Sequence, residues 1–217
     1  MKNKLPKNNA PEMRAVEAVF SAGDDEGVIT GRPIVYNSRT DLGLFDEVIE
    51  SGALNNANLQ DVRFCLNHDT SFVYARSRRN NSNSTMQLQI DEQGLYITAR
   101  LDIENSAKAR DLYSAIKRGD LTGMSFMFTV ADAEWEDLES DHPFRRIKEI
   151  GTVVEVSAVT FPAYQATDIN ARSLETLESA RAAVETTRAD SVETETNTLE
   201  LAKAKYNYYF KNGGFKK

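Results

Sequence analysis

Apolar and polar positions alternate with a period of two through much of the first 160 residues, which predicts a succession of β-strands. Ala15–Phe20 and Val28–Tyr36 are the first, separated by the turn-forming stretch Gly23–Gly27. In Asp61–Asn67 the alternation is strict: Val62, Phe64 and Leu66 share one face, and Arg63, Cys65 and Asn67 the other. Met86–Ile90 and Leu95–Leu101 read as a hairpin around Asp91-Glu92-Gln93-Gly94. Strands are expected again at Gly123–Val130, Arg145–Ile150 and Thr152–Thr160, with the acidic stretch Asp132–His142 as a loop and Phe161-Pro162 as the end of the last strand.

The period changes to that of a helix once in this region. Ala109, Leu112, Tyr113 and Ile116 form a stripe at i, i+3, i+4 and i+7, with Asn105 or Ser106 able to cap it and Gly119 as its C′ residue. The flanks differ from the body. Residues 1–12 are polar, with two prolines, and are expected to form a flexible arm. From Ser173 the chain turns rich in Glu, Thr and Ala. Leu174, Leu177, Arg181 and Val184 suggest a helix there, too polar to be stable without a partner. Lys203–Lys217 carries five lysines and five aromatic residues. The division is therefore an arm at 1–12, a β-rich domain at 13–172 and a separable, partly helical tail at 173–217.

Composition narrows the function. The net charge is −7, which argues against a dedicated nucleic-acid binder. No apolar run reaches the length of a membrane span, and the basic N-terminus lacks the apolar core of a signal peptide. A soluble protein made in a cytoplasm is expected. Cys65 is the single cysteine, so neither an intrachain disulfide nor a thiolate zinc site can form. There is no P-loop and no Gly-rich dinucleotide turn, and no cofactor is expected.

Three segments can carry chemistry. The chain has two histidines, so any imidazole mechanism uses His68 or His142. His142 lies in the acidic loop and reads as a solvated residue. His68 follows DVRFCLN and extends the Val62-Phe64-Leu66 face by one step, at the edge of the core; a structural histidine and a general base both fit. In TGMSFMFTV, Met124, Phe126, Phe128 and Val130 face the core and Ser125 faces away beside the small Gly123; a serine hydroxyl needs a base to become a nucleophile. In TVVEVSAVTFPAY, Glu155 stands in a strand apolar on both faces, where a carboxylate is either a salt-bridge partner or the group that orients an imidazole. Cys65 with His68 would make a cysteine hydrolase, but alternation puts them on opposite faces. The Arg76, Arg78 and Arg79 run reads as a solvated strand face able to hold acidic substrate.

Taken in order, these segments resemble the prohead proteases of tailed phages. The likeness rests on NHD at Asn67–Asp69, GDLTGMSFMF at Gly119–Phe128 and EVSAVTFPAY at Glu155–Tyr164, with GRPIVYNSRTDLGLFDEVIESGAL at Gly31–Leu54 similar to the family's opening region. It spans about residues 13–172. The resemblance implies an α+β, mainly β fold related to the herpesvirus assembly proteases, a β-barrel with flanking helices. It implies His68 as general base, Ser125 as nucleophile and Glu155 as the acidic member. Arg145 and Arg146 are oxyanion candidates by analogy with the herpesvirus enzymes. Ala158 stands where the family often has proline, and Met127 where it often has glycine, which would narrow the space beside Ser125. The implied role is cleavage of capsid and scaffold precursors inside the assembling prohead in the host cytoplasm, with self-processing and a homo-oligomeric enzyme. A non-enzymatic scaffold protein of the same fold is the alternative.

Overall fold

A computed structural model describes residues 3–4, 10–17, 20–160, 173–186, 188, 198, 200, 201 and 203. In chain order the strands are β1 (Asn3–Lys4), β2 (Glu12–Glu17), β3 (Phe20–Ala22), β4 (Val28–Val35), β5 (Thr40–Asp41), β6 (Asp46–Ile49), β7 (Asp61–Leu66), β8 (Ala75–Arg78), β9 (Met86–Asp91) and β10 (Gly94–Arg100). Helix α1 (Ala107–Arg118) follows, then the long strands β11 (Gly123–Glu136) and β12 (Phe144–Val159), and a second helix, α2, over 173–186.

Among the described residues the strands make two open sheets and no closed barrel, so the expected herpesvirus-like barrel is not found. The four-stranded sheet runs β3-β4-β10-β9. The eight-stranded sheet is built on the β11–β12 antiparallel pair. On its β11 side lie β2, opposite Gly123–Phe128, and β1, opposite Trp135 and Glu134. On its β12 side β6 and β7 both run parallel to β12, at different stretches of it. The strands pair through separate partners in the two sheets, and no described ladder joins their outer edges.

The largest correction to the sequence reading concerns 132–136. The acidic stretch is not a loop but the continuation of β11, and the turn is confined to the residues between β11 and β12. The acids are tolerated because β12 answers them with bases: Glu134 lies opposite Arg146, and Glu136 binds Arg146 Nε at 2.7 Å. Nor does Gly151 break β12. A Cβ there would meet Thr129 Oγ1 at 2.8 Å, and that hydroxyl accepts the Thr152 N–H at 3.0 Å. Glycine is used here for close approach between strands.

Helix α1 forms as the stripe requires. The Ser106 hydroxyl accepts the Ala109 N–H, and Gly119, left-handed at φ 78°, closes the C-terminus with its N–H on Ala115 and Ile116 carbonyls. Its buried face is Ala109, Leu112, Tyr113 and Ile116. They join the main core, which also holds Phe64, Met124, Phe126, Phe128, Val153 and Val156.

At both ends, described residues outside 13–172 pack against the sheet and core. Residues 3–4 and 12 are strand, and Glu12 is 3% exposed, so the arm is not wholly free of the sheet; residues 1–2 and 5–9 lie outside the described residues. At the other end, α2 buries Leu177 and Ala180 in a second core with Leu42, Phe45, Trp135 and Leu138. Arg181 donates to the Leu138 and Ser140 carbonyls. The tail's helix thus finds the partner its composition demanded, and the packing runs past residue 172. The expected strand end at Phe161-Pro162 and the aromatic, lysine-rich end beyond residue 203 lie outside the described residues.

Candidate active site

The site forms where β7 ends beside β12. Leu66 is the last strand residue. Asn67 and His68 then take left-handed conformations at φ 49° and 61°, a region that non-glycine residues enter uncommonly, with asparagine and histidine among those that enter it most. Asn67 is stapled to β12: its N–H donates to the Ala158 carbonyl at 2.9 Å, its amide Nδ2 to Thr160 Oγ1 at 3.1 Å, and its Oδ1 accepts the Thr160 N–H at 3.0 Å.

This turn overturns one step of the alternation argument. His68 does not continue the Phe64 and Leu66 face. The two left-handed residues swing the imidazole to the opposite side of the sheet, where Nδ1 is hydrogen-bonded to Glu155 Oε1. Glu155 is directly opposite Arg63 on β7, and Ser157 opposite Cys65, so all four project from that side. His68 and Glu155 are therefore brought together, as the orienting role requires.

Ser157 completes the arrangement, and nothing in the sequence reading singled it out. Its hydroxyl donates to Glu155 Oε2 at 2.7 Å and accepts the backbone N–H of His68 at 3.2 Å. The signal available was the period of two: Glu155 and Ser157 must share a face.

Ser125 joins the same side of the sheet, opposite Ser157 on β12 and Ala15 on β2. Directly opposed strand residues have Cβ atoms about 5 Å apart. The Ser125 hydroxyl donates to the Arg14 carbonyl at 2.8 Å. Ser125 and Ser157 are 0% exposed and Glu155 1%, whereas the His68 side chain keeps 11%. The imidazole is thus the rim of the site and the serines are its floor. Met127, where a smaller residue was noted as frequent, is opposite Glu155 and half-buried.

Cys65 lies on this side too, contrary to the argument that separated it from His68, but its chemistry is wrong for a nucleophile. Burial, and after it the charge of Glu155, push the thiol up to about 12. The thiolate is then scarce at neutral pH.

The two arginines are engaged elsewhere. Arg145 is opposite Trp135, not Ser125, and its buried guanidinium binds Glu12 at 2.7 and 2.9 Å and Glu47 at 2.9 Å. Arg14 completes this buried group, with Nε to Glu47 at 2.6 Å and Nη2 to Glu12 at 2.6 Å. Burial by itself would raise the Glu12 carboxyl, but Arg145 and Arg14 outweigh it and hold it at about 2. Arg146 binds Glu136 and reaches Glu50 at 3.6 Å. Neither arginine is brought to Ser125. His142 is not merely solvated: Nε2 is 3.2 Å from Asp46 and 3.7 Å from Asp41, on a surface away from this site. Arg76, expected on a solvated face, is tied to Asp61 at 2.6 and 2.7 Å.

On the other side of the His68 turn an open cleft of about 540 Å³ lies between the turn and α1. Asn67, Asp69, Phe72, Tyr74, Lys108 and Leu112 are among its walls.

An imidazole oriented by a buried carboxylate, with a serine on the neighbouring strand, is the equipment of acyl transfer. Residues 11–180 match the model of a family described as caudovirus prohead serine protease. This chain belongs to that family. It is a serine peptidase of phage capsid maturation. The prohead protease of Enterobacteria phage HK97 is 29% identical over 169 residues, covering 76% of this chain and 69% of that one. The family match extends into α2, beyond the boundary drawn at 172. A solved structure, the bacteriophage T4 capsid assembly protease, aligns over 71% of this chain and 100% of its own, at 14% identity and a TM-score of 0.42. Among the described residues no helix is long and apolar enough to cross a membrane.

Proposed function

We propose that this protease cleaves capsid and scaffold precursors inside the assembling prohead, in the host cytoplasm, with Ser125 as nucleophile, and that it also processes its own termini. In this reading it works as a homo-oligomer. The observation that carries the assignment is the His68–Glu155 hydrogen bond at the end of a ladder whose next strand carries Ser125. His68 takes the Ser125 proton as the hydroxyl oxygen attacks the scissile carbonyl carbon, then gives it to the leaving amine. Water, deprotonated by the same imidazole, hydrolyses the acyl-enzyme. Glu155 keeps the imidazole in the tautomer with hydrogen on Nδ1 and stabilises the charged ring.

Two movements precede chemistry in this reading. The Ser125 hydroxyl leaves the Arg14 carbonyl, which costs one ordinary hydrogen bond, about 1 kcal/mol. The buried floor opens for the substrate backbone. Co-expression with the phage's capsid precursor and intact-mass measurement of both chains tests the function. Trimming by the wild type and none by Ser125→Ala is expected. Trimming by Ser125→Ala at the wild-type rate refutes the nucleophile. A fluorophosphonate label on Ser125 separates the protease from a scaffold of the same fold, which takes up none.

A further inference from the structure

Glu155 has two oxygens and they face different partners. Oε1 meets His68 Nδ1, and Oε2 accepts from Ser157. A carboxylate anchored at one oxygen only is free to rotate about its last torsion, which is broad and roughly two-fold for glutamate. Anchoring both oxygens fixes the plane in which it meets the imidazole. The Ser157 hydroxyl also accepts the His68 backbone N–H. A serine hydroxyl has one donor and two acceptor sites, so both bonds form together without competing. The same side chain thus fixes the direction of the acid and the backbone position of the base. The latter matters because His68 sits in the left-handed region, at φ 61°, where surrounding contacts must hold it. Ser157 is 0% exposed, and its neighbours Val156 and Ala158 point into the main core, so it is held by packing on a long strand.

We infer that Ser157 is a positioning residue of the protease, acting through Glu155 and the His68 backbone without touching the substrate. The inference rests on His68 and Glu155 being the base and its orienting acid. Ser157→Ala leaves the strand pairing intact but removes the hydroxyl's bonds to Oε2 and to the His68 N–H together. A misplacement of the order of 1 Å at a reacting group costs roughly 10²-fold. The expected effect is a kcat lowered about 10- to 100-fold with KM changed less than about twofold.

The test pairs turnover of a capsid-derived peptide with the proton spectrum of the folded enzyme. The imidazole N–H bonded to Glu155 is expected to give a resonance downfield of the amides, assigned to His68 by comparison with His142→Ala. Ser157→Ala is expected to move this signal upfield or lose it to exchange, and Ser157→Thr, which keeps the hydroxyl, to restore both signal and kcat. An unchanged resonance with kcat within twofold of wild type overturns the inference. So does a kcat loss that merely follows the folded fraction while the signal stays in place. If Ser157→Ala does not fold, Ser157→Cys, with its weaker donor, is read in the same way. Full activity in His68→Ala sinks the catalytic reading instead, and the resonance test of Ser157 stands apart from it.

Discussion

Replacing Arg145 by methionine separates a structural role from a catalytic one. Glu12, Arg14, Glu47 and Arg145 form a buried group of two carboxylates and two guanidiniums, each side chain 4–5% exposed. Without Arg145, Glu12 and Glu47 share Arg14 alone and one buried negative charge is uncompensated. Breaking a buried pair in this way costs about 3–5 kcal/mol. The Glu12 carboxyl reports the same dependence: against the opposing effect of burial, Arg145 and Arg14 together lower it from 4.5 to about 2 in the fold. For a domain of this size, about 2–4 °C per kcal/mol gives a melting temperature lowered by roughly 6–20 °C at pH 7. Methionine keeps an apolar stem against the Trp135 ring, which the guanidinium now covers at 5.6 Å. The pH dependence has a definite sign. Because folding depresses the Glu12 pKa, its contribution is complete above about 4.5 and fades as pH falls toward about 2. The gap between wild type and Arg145→Met therefore narrows on acidification through that window. Melting curves and urea titrations between pH 7 and 3.5 measure it. The reasoning fails if the variant melts within about 2 °C of wild type at pH 7. It also fails if the gap is the same at pH 3.5. A collapse of turnover with unchanged melting would return Arg145 to the oxyanion site.

Other changes probe the catalytic group and the domain's edge. His68→Ala is expected to be nearly as inactive as Ser125→Ala, and His142→Ala to keep wild-type turnover with at most a small loss of stability, since His142 meets Asp46 and Asp41 on an exposed surface; peptidase assays of the two variants decide between the imidazoles. Glu155→Gln should lower kcat roughly 10²- to 10⁴-fold, because the amide loses the charge that stabilises the imidazolium and can present a donor to the wrong tautomer; normal single-turnover cleavage with reduced stability would make Glu155 a structural residue only. Truncation after residue 172 is expected to destabilise the domain by removing Leu177 and Ala180 from the second core, and Leu177→Ala alone by about 2–4 kcal/mol; a Leu177→Ala variant that melts like wild type would show that α2 contributes nothing to the core.

The alternation of apolar residues was enough to place most strands, the α1 stripe and its caps, and the core side of Met124, Phe126 and Phe128, because burial of one face imposes a period on the chain itself. Alternation alone left His68, Ser125 and Glu155 equally open to structural roles; their catalytic reading came from the order of the three motifs and its resemblance to the prohead proteases. What alternation could not supply was the path of the chain once a strand ends. His68 leaves its expected face because Asn67 and His68 adopt left-handed conformations that β12 holds in place through Ala158, Thr160 and Ser157. Nor can a local pattern show a long-range partner. The acids at 134 and 136 read as a loop until β12 sets Arg146 and Lys148 beside them. Glu12 read as part of a flexible arm until Arg14 and Arg145 enclosed it. The α2 helix read as a detachable tail until Phe45 and Trp135 received Leu177. In each case the charge or the apolar stripe was visible in the sequence, but its free energy depends on what stands opposite, and only the register of distant strands determines that.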